Sequence, residues 1–176
     1  MAGSRPAEAQ HDDQLCSIAA SLQLIGDRWS LLILRDAFRG VRRFDELAAD
    51  LGIARNLLAD RLQKLVDHGI LVKQPYQQRP VRYEYRLSAK GIDLSPALVA
   101  LMRWGDKHVL DQSPVVLVHD RCGTPLEQTL ICPECNEAVA PRAIKSRPGP
   151  GAAPSPKATP TKTLKAKPMK TTRRTA

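Results

Sequence analysis

Gly52-Ile53-Ala54-Arg55-Asn56-Leu57-Leu58-Ala59-Asp60-Arg61-Leu62-Gln63-Lys64-Leu65-Val66-Asp67-His68-Gly69-Ile70-Leu71 is the stretch that decides how this chain folds. At 100° per residue, Leu58, Leu62, Leu65 and Val66 share one helical stripe, while Asn56, Ala59, Asp60 and Gln63 form the opposite flank. Gly69 follows the last periodic turn, where a left-handed cap favours a residue without a Cβ. The chain then becomes extended through Leu71-Val72-Lys73-Gln74. A second extended run, Val81 to Leu87, alternates with period two. Pro75 and Pro80 bracket Tyr76-Gln77-Gln78-Arg79, read as a short loop with a cation at its tip. A helix, a tight stop and a basic-tipped hairpin follow one another in the order of a winged helix-turn-helix. An ordinary amphipathic helix beside a hairpin is the plainer alternative.

Upstream, Cys16 to Ile25 suits a first helix with Ile18, Leu22 and Ile25 on one stripe. Asp27 can cap a second helix through Trp29, Leu32, Ile33 and Ala37, which Gly40 ends. Phe44 to Leu51 suits a third, with Leu47 and Leu51 inward, and Gly52 is the turn before the fourth. Downstream, Ser88 can cap a helical stretch reaching about Leu110, with Pro96 forcing a kink or a restart capped by Ser95. Ile92, Leu94, Leu98, Leu101, Met102 and Trp104 make that stretch more apolar than a solvated helix requires. Burial against a partner subunit is one solution, and packing back on its own domain is the other. The expected fold is mainly α with a small β-hairpin wing. The domain boundaries are a disordered arm over 1–13, a DNA-binding and dimerisation domain over 14–111, a cysteine module over 112–145 and a basic tail over 146–176.

The 176 residues carry a formal charge of +9, unevenly spread. No acid follows Glu137, and the ten cations beyond it leave 17 Lys/Arg against 18 Asp/Glu in residues 1–137. Residues 39–90 nevertheless hold 11 cations against 6 acids, which points to one basic face rather than a uniformly basic protein. No signal-like leader or apolar run of membrane-spanning length is present, and four cysteines without a secretory leader point to a reducing cytoplasm. Nothing supplies paired carboxylates in a cleft, a phosphate-cradling loop or a nucleophile with its base, so no enzyme and no organic cofactor is expected.

On a helix-turn-helix frame, the amino-terminal half of the helix after Gly52 meets base edges. Arg55, Asn56, Ala59 and Gln63 are then closest to the major groove of double-stranded DNA. Asn and Gln suit adenine, Arg suits guanine, and a methyl group suits thymine. Arg61 is expected at a phosphate. Arg42, Arg43, Arg79 and Arg82 are candidates for phosphate or minor-groove contacts. Asp60 either leans on a neighbouring Arg or accepts from cytosine.

His119-Asp120-Arg121-Cys122-Gly123 and Cys132-Pro133-Glu134-Cys135-Asn136 look like two zinc knuckles. A two-residue gap lets paired ligands grip one ion from a tight turn, and Gly123 or Asn136 can supply the positive φ. His119, Cys122, Cys132 and Cys135 make a closed set suited to structural zinc in a small zinc-ribbon-like annex. The nine residues between Cys122 and Cys132 are fewer than common zinc ribbons have. A redox dithiol at Cys132/Cys135, or cysteines that merely pack, remain open.

Leu24-Ile25-Gly26-Asp27-Arg28-Trp29, Arg43-Phe44-Asp45-Glu46-Leu47, the leucine frame of 58–71, Val81 to Gly91 and Trp104-Gly105 together resemble HxlR-type winged-helix transcription regulators. The resemblance covers about residues 14–110. It implies a bacterial, nucleoid-associated DNA-binding homodimer joined through its first and last helices, regulating promoters, often in response to electrophiles or oxidants. It also implies a sensor role for Cys16, where a helix start favours thiolate; core filling is the alternative. The cysteine module and tail lie beyond the family's common core. Two functional readings follow: a sequence-specific regulator, expected to repress, and an architectural nucleoid protein dominated by its tail, which either coats DNA or merely solubilises.

Overall fold

Local signals place six α-helices, a two-stranded sheet and a short 3-10 helix (Pro141–Ala143) in a computed structural model that describes residues 16–151. The helices are α1 (Ser17–Ile25), α2 (Arg28–Phe38), α3 (Phe44–Leu51), α4 (Arg55–Asp67), α5 (Ala89–Ile92) and α6 (Ser95–His108). The strands are β1 (Leu71–Gln78) and β2 (Val81–Leu87). The expectations for the arm over 1–13 and for most of the basic tail lie outside the described residues. Cys16–Ser146 forms one unit. No helix among the described residues is long and apolar enough to cross a membrane.

Each boundary has a local cause. Asp27 caps α2, its carboxylate accepting from the Ser30 amide at 3.0 Å and the Ser30 hydroxyl at 2.6 Å. Gly52, at φ 58°, turns α3 into α4. At the end of α4, Gly69 takes φ 66°, its amide donates to Val66 O, and Ile70 N donates to Leu65 O. That pair of bonds is a Schellman motif, and the buried Leu65 and Ile70 supply its apolar contact. Ser88 caps α5, accepting from Gly91 N at 3.0 Å.

Two expectations about boundaries are corrected. Pro96 does restart the helix, but Leu94 is the cap and Ser95 is already helical. The wing has no four-residue loop between its prolines. Pro75 pairs with Tyr83 and Gln78 with Val81, so β1 runs on to Gln78 and only Arg79 and Pro80 turn the chain. Ser88 N donates to Ile70 O and Tyr85 N to Arg42 O, so Pro75–Tyr83 is a pair without ladder bonds; the missing amide of Pro75 faces away from β2, and a bulge at Tyr76 follows it.

The core is a single cluster in which α2, α3 and α4 meet the base of the wing: Ile33, Leu34, Leu47, Ile53, Leu58, Leu62, Leu65, Ile70 and Leu71. The stripe read from the sequence in α4 is this core's largest contributor, with Val66 packed at its margin. Leu34 and Asp36 were not anticipated inside. Asp36 is fully buried, its Oδ1 taking Arg35 Nε at 2.8 Å and Arg39 Nη1 at 3.1 Å. In contrast, α1 and α6 contribute no buried residue at all.

Candidate nucleic-acid interface

The outer flank of α4 follows from which face its leucines commit to the core. Asn56, Ala59, Asp60 and Gln63 are all exposed, uncovered by the described chain. Asn56 makes no side-chain hydrogen bond among the described residues, and Gln63 donates to Asp67 at 2.7 Å across a solvent-facing turn. Arg55, the first residue of α4, lies over the Phe44 ring at 4.9 Å and pairs with Asp45 at 2.8 Å. Its guanidinium is thereby aimed off the helix start while staying mostly exposed.

Arg61 is placed differently from the sequence expectation. Its Nε lies 3.1 Å from Asp27 Oδ1, as an ion pair without hydrogen-bond alignment, and its Nη1 donates to Asp60 at 2.9 Å. Lys64 Nζ sits 4.0 Å from the other Asp27 oxygen. Arg61 is turned inward because Asp27, the cap of α2, offers a fixed carboxylate beside it. A phosphate would have to compete with two acids, so the expected phosphate contact is not what this geometry presents. Asp60 in turn is held by Arg61, which resolves its awkward charge. Burial pushes the Asp27 carboxyl up, but Ser30, Arg61 and Lys64 outweigh it, and the carboxyl lies below its ordinary value.

The wing and the link before α3 join this flank through the backbone. Tyr85 N donates to Arg42 O at 2.8 Å, and Arg43 forms a bridge with Glu84, so the link lies along β2 like a short third strand. Glu46 accepts from Arg43 N at 3.3 Å and fixes the start of α3. Arg43 stacks over Tyr76 at 4.7 Å, and Lys73 over Tyr83 at 4.4 Å. The result is a groove of about 510 Å³ between the start of α4 and the wing, where Arg43, Arg55, Lys73 and Arg82 converge among Phe44, Tyr76 and Tyr83, with Asp45 and Glu46 on its wall paired to Arg55 and Arg43. Arg42 is exposed on the link, and Arg79 is exposed at the wing's turn, outside the groove.

Lys73, Tyr76 and Tyr83 were not singled out from the sequence. The available signal was the period-two pattern of β2, which puts Tyr83 and Tyr85 on one face. Tyr85, nearer the core, has its phenol pushed above its ordinary value by burial.

The cysteine segment forms two small hairpins. Gly123 N donates to His119 O at 2.7 Å and His119 N to Thr124 O at 2.9 Å; Asn136 N donates to Cys132 O at 2.9 Å and Cys132 N to Glu137 O at 2.9 Å. Gly123 and Asn136 both have positive φ, as the spacing suggested. His119 Nδ1 and Cys122 Sγ are 3.2 Å apart, but no three metal-ligating side chains converge among the described residues. Hydrogen bonding by Thr124 lowers the Cys122 thiol, and backbone amides of Cys135 and Glu134 lower that of Cys132. Cys16 stands exposed as the cap of α1, so in a single chain it fills no core.

Comparison with known proteins places this geometry. The family profile for an HxlR-like helix-turn-helix matches residues 24–113. An uncharacterized HTH-type transcriptional regulator of Mycobacterium tuberculosis, Rv3095, is 46% identical over 137 residues, covering 77% of this chain and 87% of that protein. The crystal structure of PA1607, described there as a candidate transcription factor, superposes with a TM-score of 0.70 at 38% identity, covering 78% of this chain and 97% of that one. The oxidized form of the redox regulator HypR superposes at 0.50 with 28% identity, covering 53% of this chain and 97% of that one.

Proposed function

The chain belongs to the HxlR-like helix-turn-helix family of transcriptional regulators, and from that premise we propose that it is a sequence-specific repressor acting as a homodimer. The observation that carries the reading is the uncovered flank of α4, where Asn56 makes no side-chain hydrogen bond among the described residues, beside a groove lined by four cations and two acids. Asn56, Ala59 and Gln63 read base edges, with Arg55 at the helix start reaching a guanine once it leaves Asp45. Arg43, Lys73, Arg82 and Arg79 hold the sugar-phosphate rail, and Arg42 reaches it from the link. Arg61 takes no DNA contact and instead anchors α4 to α2.

A second copy of the chain is the occupant that suits α1 and α6. Each helix packs only part of its apolar surface on the core, through Leu24 and Ile25 of α1 and Leu98 of α6, while Ile18, Leu22, Leu101 and Trp104 are each more than half exposed. The exposed remainder of each helix gains its hydrophobic free energy against a partner. The dimer sets two α4 helices against half-sites about 34 Å apart, one turn of B-DNA. Cys16, exposed at the start of α1, sits where oxidation or alkylation would disturb that interface, and the similarity to HypR, a redox regulator, favours a thiol-responsive switch.

In vitro selection from random duplexes tests the proposal. It should enrich an inverted repeat with half-sites one helical turn apart, bound less tightly after diamide by the parent but not by Cys16→Ser. Enrichment without any motif would leave only charge-driven coating of DNA and defeat the reading.

A further inference from the structure

The two cysteine hairpins are copies of one design displaced by thirteen residues. The amide of 123 bonds to the carbonyl of 119, and 136 to 132; 119 bonds to 124, and 132 to 137; 126 bonds to 117, and 139 to 130. The isolated bridges repeat in the same way, Val118 with Pro125 and Ile131 with Ala138. This displacement carries His119 onto Cys132, Cys122 onto Cys135, and the positive-φ Gly123 onto the positive-φ Asn136. The displacement therefore superposes the four metal-ligand side chains pairwise and the residues that close the turns behind them, alongside apolar repeats at Leu117/Leu130 and Val118/Ile131.

The module also lacks any other means of support. From Val109 to Ser146 no residue is buried, and Val118, Leu126, Leu130 and Ile131 are about half exposed or more. Its attachments to α6 are two polar ones, Gln128 Nε2 to Pro96 O at 2.9 Å and Arg103 to the Leu126 carbonyl. A segment of this size without a core needs a covalent or metal staple to hold one shape.

We propose that His119, Cys122, Cys132 and Cys135 bind one zinc ion, which draws the two hairpins together and fixes the module against α6. Three thiolates and one imidazole fill a tetrahedral shell, leaving no open position, so the ion is structural rather than hydrolytic. Binding releases the thiol protons and no redox change occurs. The proposal is independent of DNA binding, because the core of Ile33 to Leu71 does not include the module.

Metal analysis of the full-length protein, purified without chelator, should find one zinc per chain. Replacing zinc with Co2+ should give thiolate-to-metal charge-transfer bands and the visible d–d absorption of a tetrahedral site. Cys132→Ser and Cys135→Ser should lower bound metal at least tenfold with unchanged helical circular dichroism. His119→Ala should lose the ion, whereas His119→Cys should recover it with a red-shifted cobalt spectrum. Less than a tenth of an equivalent in the parent protein would overturn the site, as would a Cys132–Cys135 disulfide in its place. Half an equivalent per chain would refute a site completed within one chain.

Discussion

Asp27 supports three things at once: the start of α2, the hydroxyl of the buried Ser30, and the inward turn of Arg61 from α4. Asp27→Ala removes all three. Loss of an N-cap costs about 0.5–2 kcal/mol. The Ser30 hydroxyl, buried with Asp27 as its acceptor at 2.6 Å, is left without that partner, a penalty of about 1–3 kcal/mol if nothing replaces it. The pair with Arg61 is roughly a quarter exposed on both sides, so it adds only about 0.2–1 kcal/mol. These contributions overlap, and a total near 2–3 kcal/mol is expected. Asp27→Asn separates them: its one amide oxygen keeps the Ser30 N–H cap of α2, while the NH2 in place of the second oxygen can only donate to the Ser30 hydroxyl, and the charge disappears. Its loss should stay under about 1 kcal/mol. With a urea m-value of about 2 kcal/mol/M, the midpoints should fall by about 1–1.5 M for Ala and under 0.5 M for Asn.

The pH dependence has a fixed sign. The folded carboxyl lies below its ordinary value, so its contribution is complete above the unfolded pKa of about 3.9 and is lost as pH falls through the lower, folded value. Urea titrations at pH 7 and near pH 3 should show the gap between parent and Asp27→Asn narrowing in acid. Equal losses for the two variants at pH 7, or a gap that widens in acid, would refute this account of the α2–α4 anchor.

The other expectations concern recognition, assembly and chain reversal. Asn56→Ala should cost about 1–3 kcal/mol on the selected site and relax preference at one position per half-site; an unchanged preference in a repeat selection would remove Asn56 from the reading head. Arg82→Ala should weaken binding to all sequences and reduce the slope of log K against log salt by about one unit per lost phosphate contact, as fluorescence anisotropy across a salt series would measure. Trp104→Asp should yield monomers in analytical ultracentrifugation while keeping its helical spectrum, since Trp104 is 59% exposed in one chain. Gly69→Ala should lose about 1 kcal/mol or more in denaturant melts, because φ of 66° disfavours a Cβ even though open space surrounds it.

What the sequence by itself determined were features whose causes lie within a few residues. The Asp27 cap, the Gly52 turn, the Gly69 stop and the leucine frame of α4 are of this kind, since capping, positive φ and helical period act over one or two turns. The paired turns at His119–Gly123 and Cys132–Asn136 were legible for the same reason. Pro75 misled at the same range: a proline usually interrupts a strand, but here its nitrogen faces away from β2 at a pair without ladder bonds, which only the register reveals.

Only the tertiary structure decided where the long cations point. Arg61 and Arg55 stand in the same helix with the same charge, yet one is drawn inward by Asp27 and the other leans over Phe44 toward the groove. Lys73 and Arg43 likewise gain their places from Tyr83 and Tyr76 in the folded wing. A guanidinium or ammonium on a flexible stem has many rotamers of similar energy. Partners brought near by the packing of α2, α3 and the hairpin select among them, and those partners are distant along the chain.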